Sequence, residues 1–307
     1  MNKVELKDVV AGLKSLPDES ADVVLIDPPY NIGKDFGNSR IKMPMEEYVK
    51  WADEWMEESV RILKPSGTLY LYGFPEILAH LSVRLTIPQR WLAWHYTNKT
   101  TPTSKFWQRS HESIIVAWKN KAQRVFNRDD VREPYTDTYV KGYGGSKKRV
   151  RPATKGRFQH NTEAEGTAYV VDERGALPRD VLKVSALAGG KGTKERTFLC
   201  KTCNEVYDGP KLKEHRGHDI VKHPTQKPYE LTERLLKAVN VENALVVVPF
   251  AGSGSELKVA KDLGMDCIGF ETNPDDVQSI SYKETSDQFI IIFDTEGYNN
   301  DHEIQTQ

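Results

Sequence analysis

The sequence predicts an α/β fold, a sheet with helices on both faces, interrupted by an inserted region. Three observations carry that expectation. Two apolar, β-branched runs, Val23-Val24-Leu25-Ile26 and Ala244-Leu245-Val246-Val247-Val248, have the composition of strands buried on both faces. The second run passes through a glycine turn into a helical stretch and then into another apolar run, Cys267 to Glu271, the alternation that builds α/β sheets. Between these halves, from about Asn120 to Lys222, the pattern is polar and irregular, as expected of a segment supported by a core rather than part of it.

Taken in order, the first strand ends at Asp27-Pro28-Pro29-Tyr30. Tyr48, Trp51, Ala52, Trp55, Ile62 and Leu63 then recur at helical spacing and predict an amphipathic helix covering the sheet, with the tryptophans as core. Strands follow at Thr68 to Tyr72, Trp91 to Thr97 and Ser113 to Trp118, closing a first core segment, 1–119. The insertion occupies 120–222. A second core segment, 223–283, holds the strand 244–248, the turn Pro249-Phe250-Ala251-Gly252-Ser253-Gly254-Ser255, a helix from Glu256 to Leu263 and the strand ending at Glu271. The tail, 284–307, contains an apolar strand, Phe289 to Phe293, and an acidic end to which the sequence assigns no function.

The chemistry sits where strands end. Pro28 and Pro29 have locked φ and no N–H, so the carbonyls around them escape the sheet ladder and can accept from a ligand. With a carboxylate before them and an aromatic ring after, this cluster suits a planar, amino-bearing base: Asp27 and the Pro28 carbonyl would take the two amino protons and Tyr30 would stack on the ring. In the second half, Gly252 and Gly254 let the backbone bend and approach a ligand, and the following helix offers unpaired N–H groups to a carboxylate. Glu271, an acid ending the next strand, is placed to accept from ribose hydroxyls.

Together these residues resemble the amino-group DNA methyltransferases that use S-adenosylmethionine, in the permuted arrangement whose catalytic tetrapeptide precedes the cofactor loop. The likeness covers most of the chain. Lys7-Asp8 with Leu13 to Ser20 is similar to the family's opening, Ile62 to Tyr70 to its helix-to-strand turn, and Trp94 to Pro102 with His111-Glu112-Ser113-Ile114-Ile115 to the strands flanking its target pocket. His223-Pro224-Thr225-Gln226-Lys227-Pro228 resembles its signature before the cofactor loop. The resemblance implies a Rossmann-like methyltransferase sheet, catalysis by Asp27, Pro28, Pro29 and Tyr30, and a cofactor site of Asp8, Asp27, Lys227, Pro249, Phe250, Ala251, Gly252, Ser253, Gly254, Glu271 and Asn273. Asp8 would lie near the cofactor adenine and Phe250 beside the cofactor, with Asn31 at the pocket rim. The chain departs from the family at Val248, where an aspartate usually faces the methionine ammonium, and at Lys7, where the family has glycine before the acid.

The inserted target-recognition region carries two further signals. Between Val140 and Thr162 there are seven basic residues and no acid, interleaved with glycines: Lys141, Lys147, Lys148, Arg149, Arg151, Lys155 and Arg157. Such a loop suits phosphate contacts along double-stranded DNA. Downstream, Cys200, Cys203, His215 and His218 have the spacing of a tetrahedral zinc site in a small finger over 198–218, with Phe198, Tyr207 and Leu212 at the apolar positions of a ββα unit. Four protein ligands would make this Zn2+ structural. Cys267, on a core strand, reads as buried packing.

At 307 residues, 38% hydrophobic and 28% charged, the chain can bury a sizeable core. It has no run of membrane-spanning length and no apolar signal segment, so a cytoplasmic protein without a membrane partner is expected. The expected reaction is methylation of adenine N6 in DNA after base flipping, by direct attack of the amino nitrogen and without a cysteine nucleophile. N4-cytosine methylation uses the same geometry but more often has serine at Asp27. RNA or protein-glutamine methylation, and a DNA-binding protein on a decayed scaffold, are the other readings. The recognised bases, the oligomeric state and the existence of a restriction endonuclease partner are not encoded in any pattern found.

Overall fold

The computed structural model describes residues 2–33, 42–98, 105–143, 148–150, 168–170, 172–187, 192–203, 205–221, 225–282 and 290–293. Contacts divide the chain into two compact units, Met1–Phe126 with Asp180–Gln307, and Asn127–Arg179. The elements in chain order are β1 (Asn2–Leu6), α1 (Val9–Lys14), β2 (Ala21–Ile26), α2 (Met45–Ile62), β3 (Leu63–Gly73), α3 (Pro75–Ser82), β4 (Gln89–His95) and β5 (His111–Trp118). The second unit holds α4 (Asp137–Tyr143), β6 (Lys148–Val150) and β7 (Ala168–Val170). The chain returns through β8 (Val181–Lys183), α5 (Gly192–Glu195), β9 (Thr197–Cys200), β10 (Glu205–Asp208), a 3-10 helix (Gly209–His215) and β11 (Ile220–Val221). It ends with α6 (Tyr229–Lys237), β12 (Leu245–Val248), α7 (Ser255–Asp262), β13 (Asp266–Glu271), α8 (Pro274–Tyr282) and β14 (Ile290–Phe293).

The large unit is organised on a sheet of order β14-β1-β13-β12-β2-β3-β5-β4-β8. It is mixed. The run from β14 to β3 is parallel, whereas β5 is antiparallel to both β3 and β4, and β8 lies parallel to β4. Strand period separates the two faces. Val24, Ile26, Leu69, Leu71 and Val247 share a core with Tyr48, Ala52 and Trp55 of α2 and with Leu13 of α1. On the other side, the Tyr70 hydroxyl donates to the Leu235 carbonyl of α6 at 3.0 Å. Within the helix, Tyr48, Ala52, Trp55, Met56, Ser59 and Ile62 are buried, so the tryptophan stripe read from the sequence is split: Trp55 is core and Trp51 is only half-buried. Truncating a side chain packed like Trp55 costs about 3–5 kcal/mol.

The region 120–222 is divided between the units. Only 127–179 forms a compact body of its own, tied by a bridge between Glu133 and Ala176 and by Arg132, which pairs with Asp129 at 2.8 Å and Asp172 at 2.7 Å. Residues 180–222 belong to the large unit, to whose sheet they add β8. The expected ββα finger is corrected in its last element. β9 pairs antiparallel with both β10 and β11, and the segment between is a seven-residue 3-10 helix rather than an α-helix. Gly209-Pro210 opens that segment and Gly217, at φ 84°, follows it, which leaves too few residues to sustain an α-helix.

Candidate active site

β2 and β12 are hydrogen-bonded neighbours, with Val23 opposite Val246 and Val24 opposite Val247. From β2 the chain crosses through α2 to β3 on one side, and from β12 it crosses through α7 to β13 on the other. Strand order therefore reverses between them, and a crevice opens outside their carboxyl ends, the place where open α/β sheets bind ligands. Asp27 to Tyr30 leave β2 there and Pro249 to Gly254 leave β12. Both segments line one cavity of about 480 Å³, within the range of about 300–1,000 Å³ usual for small-molecule sites.

The glycine turn is held from three directions. The Ala251 N–H donates to the Phe270 carbonyl at 2.8 Å, and Gly252 N–H donates to Glu271 Oε2 at 2.8 Å. Gly254 caps α7 at φ 70°, where a Cβ would also strike Ile280 at 2.5 Å, so this position accepts only glycine. Glu271 Oε1 accepts from the N–H groups of Thr272 and Asn273 at 2.8 and 2.9 Å. Three of the roughly four acceptor directions of its carboxylate are thus spent on the backbone, with one left for a ligand. Asn273 caps α8, accepting from the Asp275 N–H and donating to Asp276, and neither it nor Gly254 lines the cavity. Asp8 lines the cavity while its Oδ1 caps α1 through Val10 N–H at 2.9 Å. Phe250 stands edge-on to Trp51 and Trp55, with ring centres 5.7 and 5.6 Å away.

At the other end, the Pro29 carbonyl accepts from the Tyr48 hydroxyl at 2.9 Å. Among the described residues nothing donates to the buried Pro28 carbonyl. Asp27 Oδ1 accepts from the Tyr30 hydroxyl at 2.8 Å, and Oδ2 pairs with Lys227 Nζ at 2.7 Å. Glu112 Oε2 lies 3.0 Å from the Tyr30 oxygen and 3.7 Å from Lys227 Nζ. Lys227, only 3% exposed, also sits over the rings of Tyr30, Tyr72 and Trp94 at 5.2, 5.2 and 6.0 Å. Burial alone would push its ammonium down, but Asp27 and Glu112 reverse this and hold it above its ordinary value. Burial first, then Asp27 and Glu112, keeps the Tyr30 phenol protonated well beyond neutral pH. Asn31, at φ 56°, clasps Met43 through both backbone groups at 2.9 and 2.8 Å, which fixes the rim of the pocket. Phe74, Trp94, Glu112, Trp51 and Glu256 line the cavity as well, and sequence reasoning did not select them as site residues.

The cysteine and histidine set is brought together. All four ligand atoms lie within 4.8 Å of one another. Cys200 Sγ and Cys203 Sγ are 3.4 and 3.3 Å from His218 Nδ1, Cys203 Sγ is 3.6 Å from His215 Nδ1, and the two Nδ1 atoms are 3.4 Å apart. A tetrahedron with thiolate at about 2.3 Å and imidazole at about 2.05 Å has S···N edges of about 3.6 Å and N···N edges of about 3.3 Å. The donor set therefore fits a small tetrahedral cation. Of the basic residues expected to meet DNA, Lys141 is exposed on α4, and Lys148 and Arg149 lie in β6. Lys147, Arg151, Lys155 and Arg157 fall outside the described residues, as do His223 and Pro224.

An α/β crevice at a strand-order reversal, lined by Asp-Pro-Pro-Tyr on one side and a glycine turn with a following acid on the other, defines a class of amino-group methyltransferase site. Residues 21–283 match the family model for DNA methylases of the N6 and N4 type, and the chain belongs to that family. It is 27% identical over 276 residues to the type II methyltransferase M.HpaI of Haemophilus parainfluenzae, covering 88% of this chain and 70% of that protein. It is 26% identical over 270 residues to the DNA adenine methyltransferase YhdJ of Escherichia coli, covering 87% and 76%. Among solved structures it is similar to the PvuII cytosine-N4-specific DNA methyltransferase, with TM-score 0.57 and 16% identity over 91% of this chain and 85% of that one. It is equally similar to a candidate DNA modification methylase of Thermus thermophilus complexed with S-adenosyl-L-methionine. There the TM-score is 0.56 and the identity 17%, over 96% and 99% of the chains. Among the described residues no helix is long and apolar enough to cross a membrane.

Proposed function

We propose that this protein transfers a methyl group from S-adenosylmethionine to the N6 amino group of adenine in double-stranded DNA. The observation that carries the reading is the pair of acceptors at the end of β2: Asp27, and a Pro28 carbonyl with no donor among the described residues, beside the glycine turn in one cavity. Asp8, Pro249 to Ser253 and Glu271 would hold the cofactor, with Phe250 against it and Gly254 shaping the turn. The bound cofactor supplies a methyl group made electrophilic by its sulfonium. Within the crevice Asp27 and the Pro28 carbonyl accept the two amino hydrogens of a flipped base, which turns the nitrogen lone pair toward the methyl and stabilises the positive charge that grows on nitrogen. Tyr30, Phe74 and Trp94 supply aromatic surface for the base, and Lys227 fixes the Asp27 carboxylate.

The aspartate, rather than serine, at position 27 favours adenine over cytosine. The basic residues of 141–157 are proposed to track the DNA backbone, and Cys200, Cys203, His215 and His218 to hold one structural Zn2+. The reading includes a cytoplasmic enzyme, with or without an endonuclease partner. Single-molecule sequencing of DNA from cells expressing the protein reports base and site together. N6-methyladenine at one recurrent sequence is the expected result. N4-methylcytosine there would transfer the reading to cytosine, and unmodified DNA from an expressed, folded protein would remove it.

A further inference from the structure

Val248 leaves the cofactor loop without an acid at the end of β12, where it is 1% exposed among apolar neighbours. Just past the glycine turn, however, the first turn of α7 places a carboxylate in the same cavity. Glu256 is 5% exposed and lines that cavity beside Ser253 and Ser255. Its Oε2 accepts from the Ser255 hydroxyl at 2.7 Å, and among the described residues no lysine or arginine lies within ion-pairing distance of it. Lys227, which is within electrostatic reach, is already paired with Asp27. A helix former at this place would normally point its carboxylate into solvent or across its own N-terminus. Here it turns onto its own backbone N–H while buried in a cavity shared with a second acid, Asp27, and desolvation and then that repulsion raise its proton affinity. Such an arrangement is costly in the empty protein and is relieved by a cation delivered into the cavity.

We infer that Glu256 is the carboxylate that receives the α-ammonium of the cofactor's methionyl group, taking the role left open by Val248. The inference rests on the S-adenosylmethionine reading above. Glu256 follows the glycine turn directly and shares its cavity with Asp27, so a methionyl tail lying along the turn comes to Glu256 while the sulfonium approaches Asp27. The tail's carboxylate then meets the positive N-terminal end of α7.

The test is a cycle between Glu256 and the amine, read by calorimetry. S-Adenosylhomocysteine and its des-amino analogue, which keeps the carboxylate and lacks the amine, are titrated into the wild type and into Glu256→Gln. A charge-assisted contact predicts that the wild type prefers the amine-bearing ligand by about tenfold or more, and that Glu256→Gln shrinks the preference to about twofold or less. Glu256→Asp, which keeps the charge on a shorter arm, should retain part of the preference. A preference undiminished in Glu256→Gln, or equal losses of both ligands, overturns the assignment while leaving the cofactor reading intact. A wild type that binds neither ligand at millimolar concentration overturns both.

Discussion

Asp27 divides its carboxylate between the Tyr30 phenol and the Lys227 ammonium, so a substitution there acts on chemistry and on stability together. Asp27→Asn should reduce methyl transfer by about a hundredfold or more, as removal of a transition-state charge partner does, while S-adenosylhomocysteine still binds. It should also destabilise the protein by about 3 kcal/mol, because Lys227 stays buried with the neutral Tyr30 hydroxyl at 3.1 Å and its nearest remaining ion-pair partner, Glu112, at 3.7 Å. The double variant Asp27→Asn/Lys227→Met separates the two effects: urea unfolding should recover most of the stability and the activity assay none of it. Glu256 makes the opposite stability prediction. Burial and then Asp27 hold its carboxyl above the ordinary carboxylate range. An acid with a raised folded pKa keeps its proton longer when folded, so it lowers stability as pH climbs from the unfolded value of about 4.3 toward the folded one. Above the folded value the cost is constant. In scanning calorimetry of the ligand-free protein, Glu256→Gln should therefore raise Tm at neutral pH, with the gain shrinking as pH falls toward that unfolded value.

At the scale of elements, the cysteine-histidine module and the buried Lys227 are not independent. Gln226 Oε1 accepts from the Thr197 N–H of β9 at 3.2 Å, and its Nε2 donates to the Glu195 carbonyl at 3.0 Å. Gln226 is the residue before Lys227, and Glu195 also receives the Tyr229 N–H at the start of α6. The strand carrying Cys200 thus braces the loop that places Lys227 beside Asp27. Chelation of the purified protein, or Cys203→Ser, should accordingly lower methyl transfer as well as loosen residues 196–221 in hydrogen exchange, with S-adenosylhomocysteine affinity changed less than twofold, about 0.4 kcal/mol or under. Unchanged turnover of the chelated protein would disconnect the brace from the chemistry. What could be read in the sequence follows the same division. Asp27 to Tyr30, Phe250 to Gly254 and Glu271 were legible because each group lies within a few residues of a recognisable strand end. Lys227 is legible through the His223 to Pro228 signature, but its pairing with Asp27 depends on the bracing by β9, and Glu112 reaches Tyr30 only through the antiparallel pairing of β5 with β3; neither pairing has a local signal. Glu256 reads as an ordinary helix former, and its burial depends on how α7 meets the cavity. The 3-10 helix after β10 was missed because apolar spacing does not distinguish two helices over seven residues.

At the scale of the molecule, the unit Asn127–Arg179 leaves the large unit's chain at Phe126 and returns at Asp180, and all of the strands bearing Asp27, Phe250 and Glu271 belong to the large unit. Replacing 127–179 with a short glycine-serine linker should leave S-adenosylhomocysteine affinity within about twofold and abolish site-specific DNA binding, measured by calorimetry and by competition against non-specific duplex. Loss of cofactor binding in a folded variant would mean that the crevice depends on that unit. The pairing of β2 with β12 has a further consequence for the history of such a gene. The crevice is made by two strands lying side by side, and although α2 packs on both of them, their pairing does not depend on which of the two is reached first along the chain. A genomic rearrangement that exchanged the order of the two coding segments would rebuild the same pocket from the same residues. Selection on the reaction is blind to which half is translated first, and acts on whether the same strands and the elements packed on them come together.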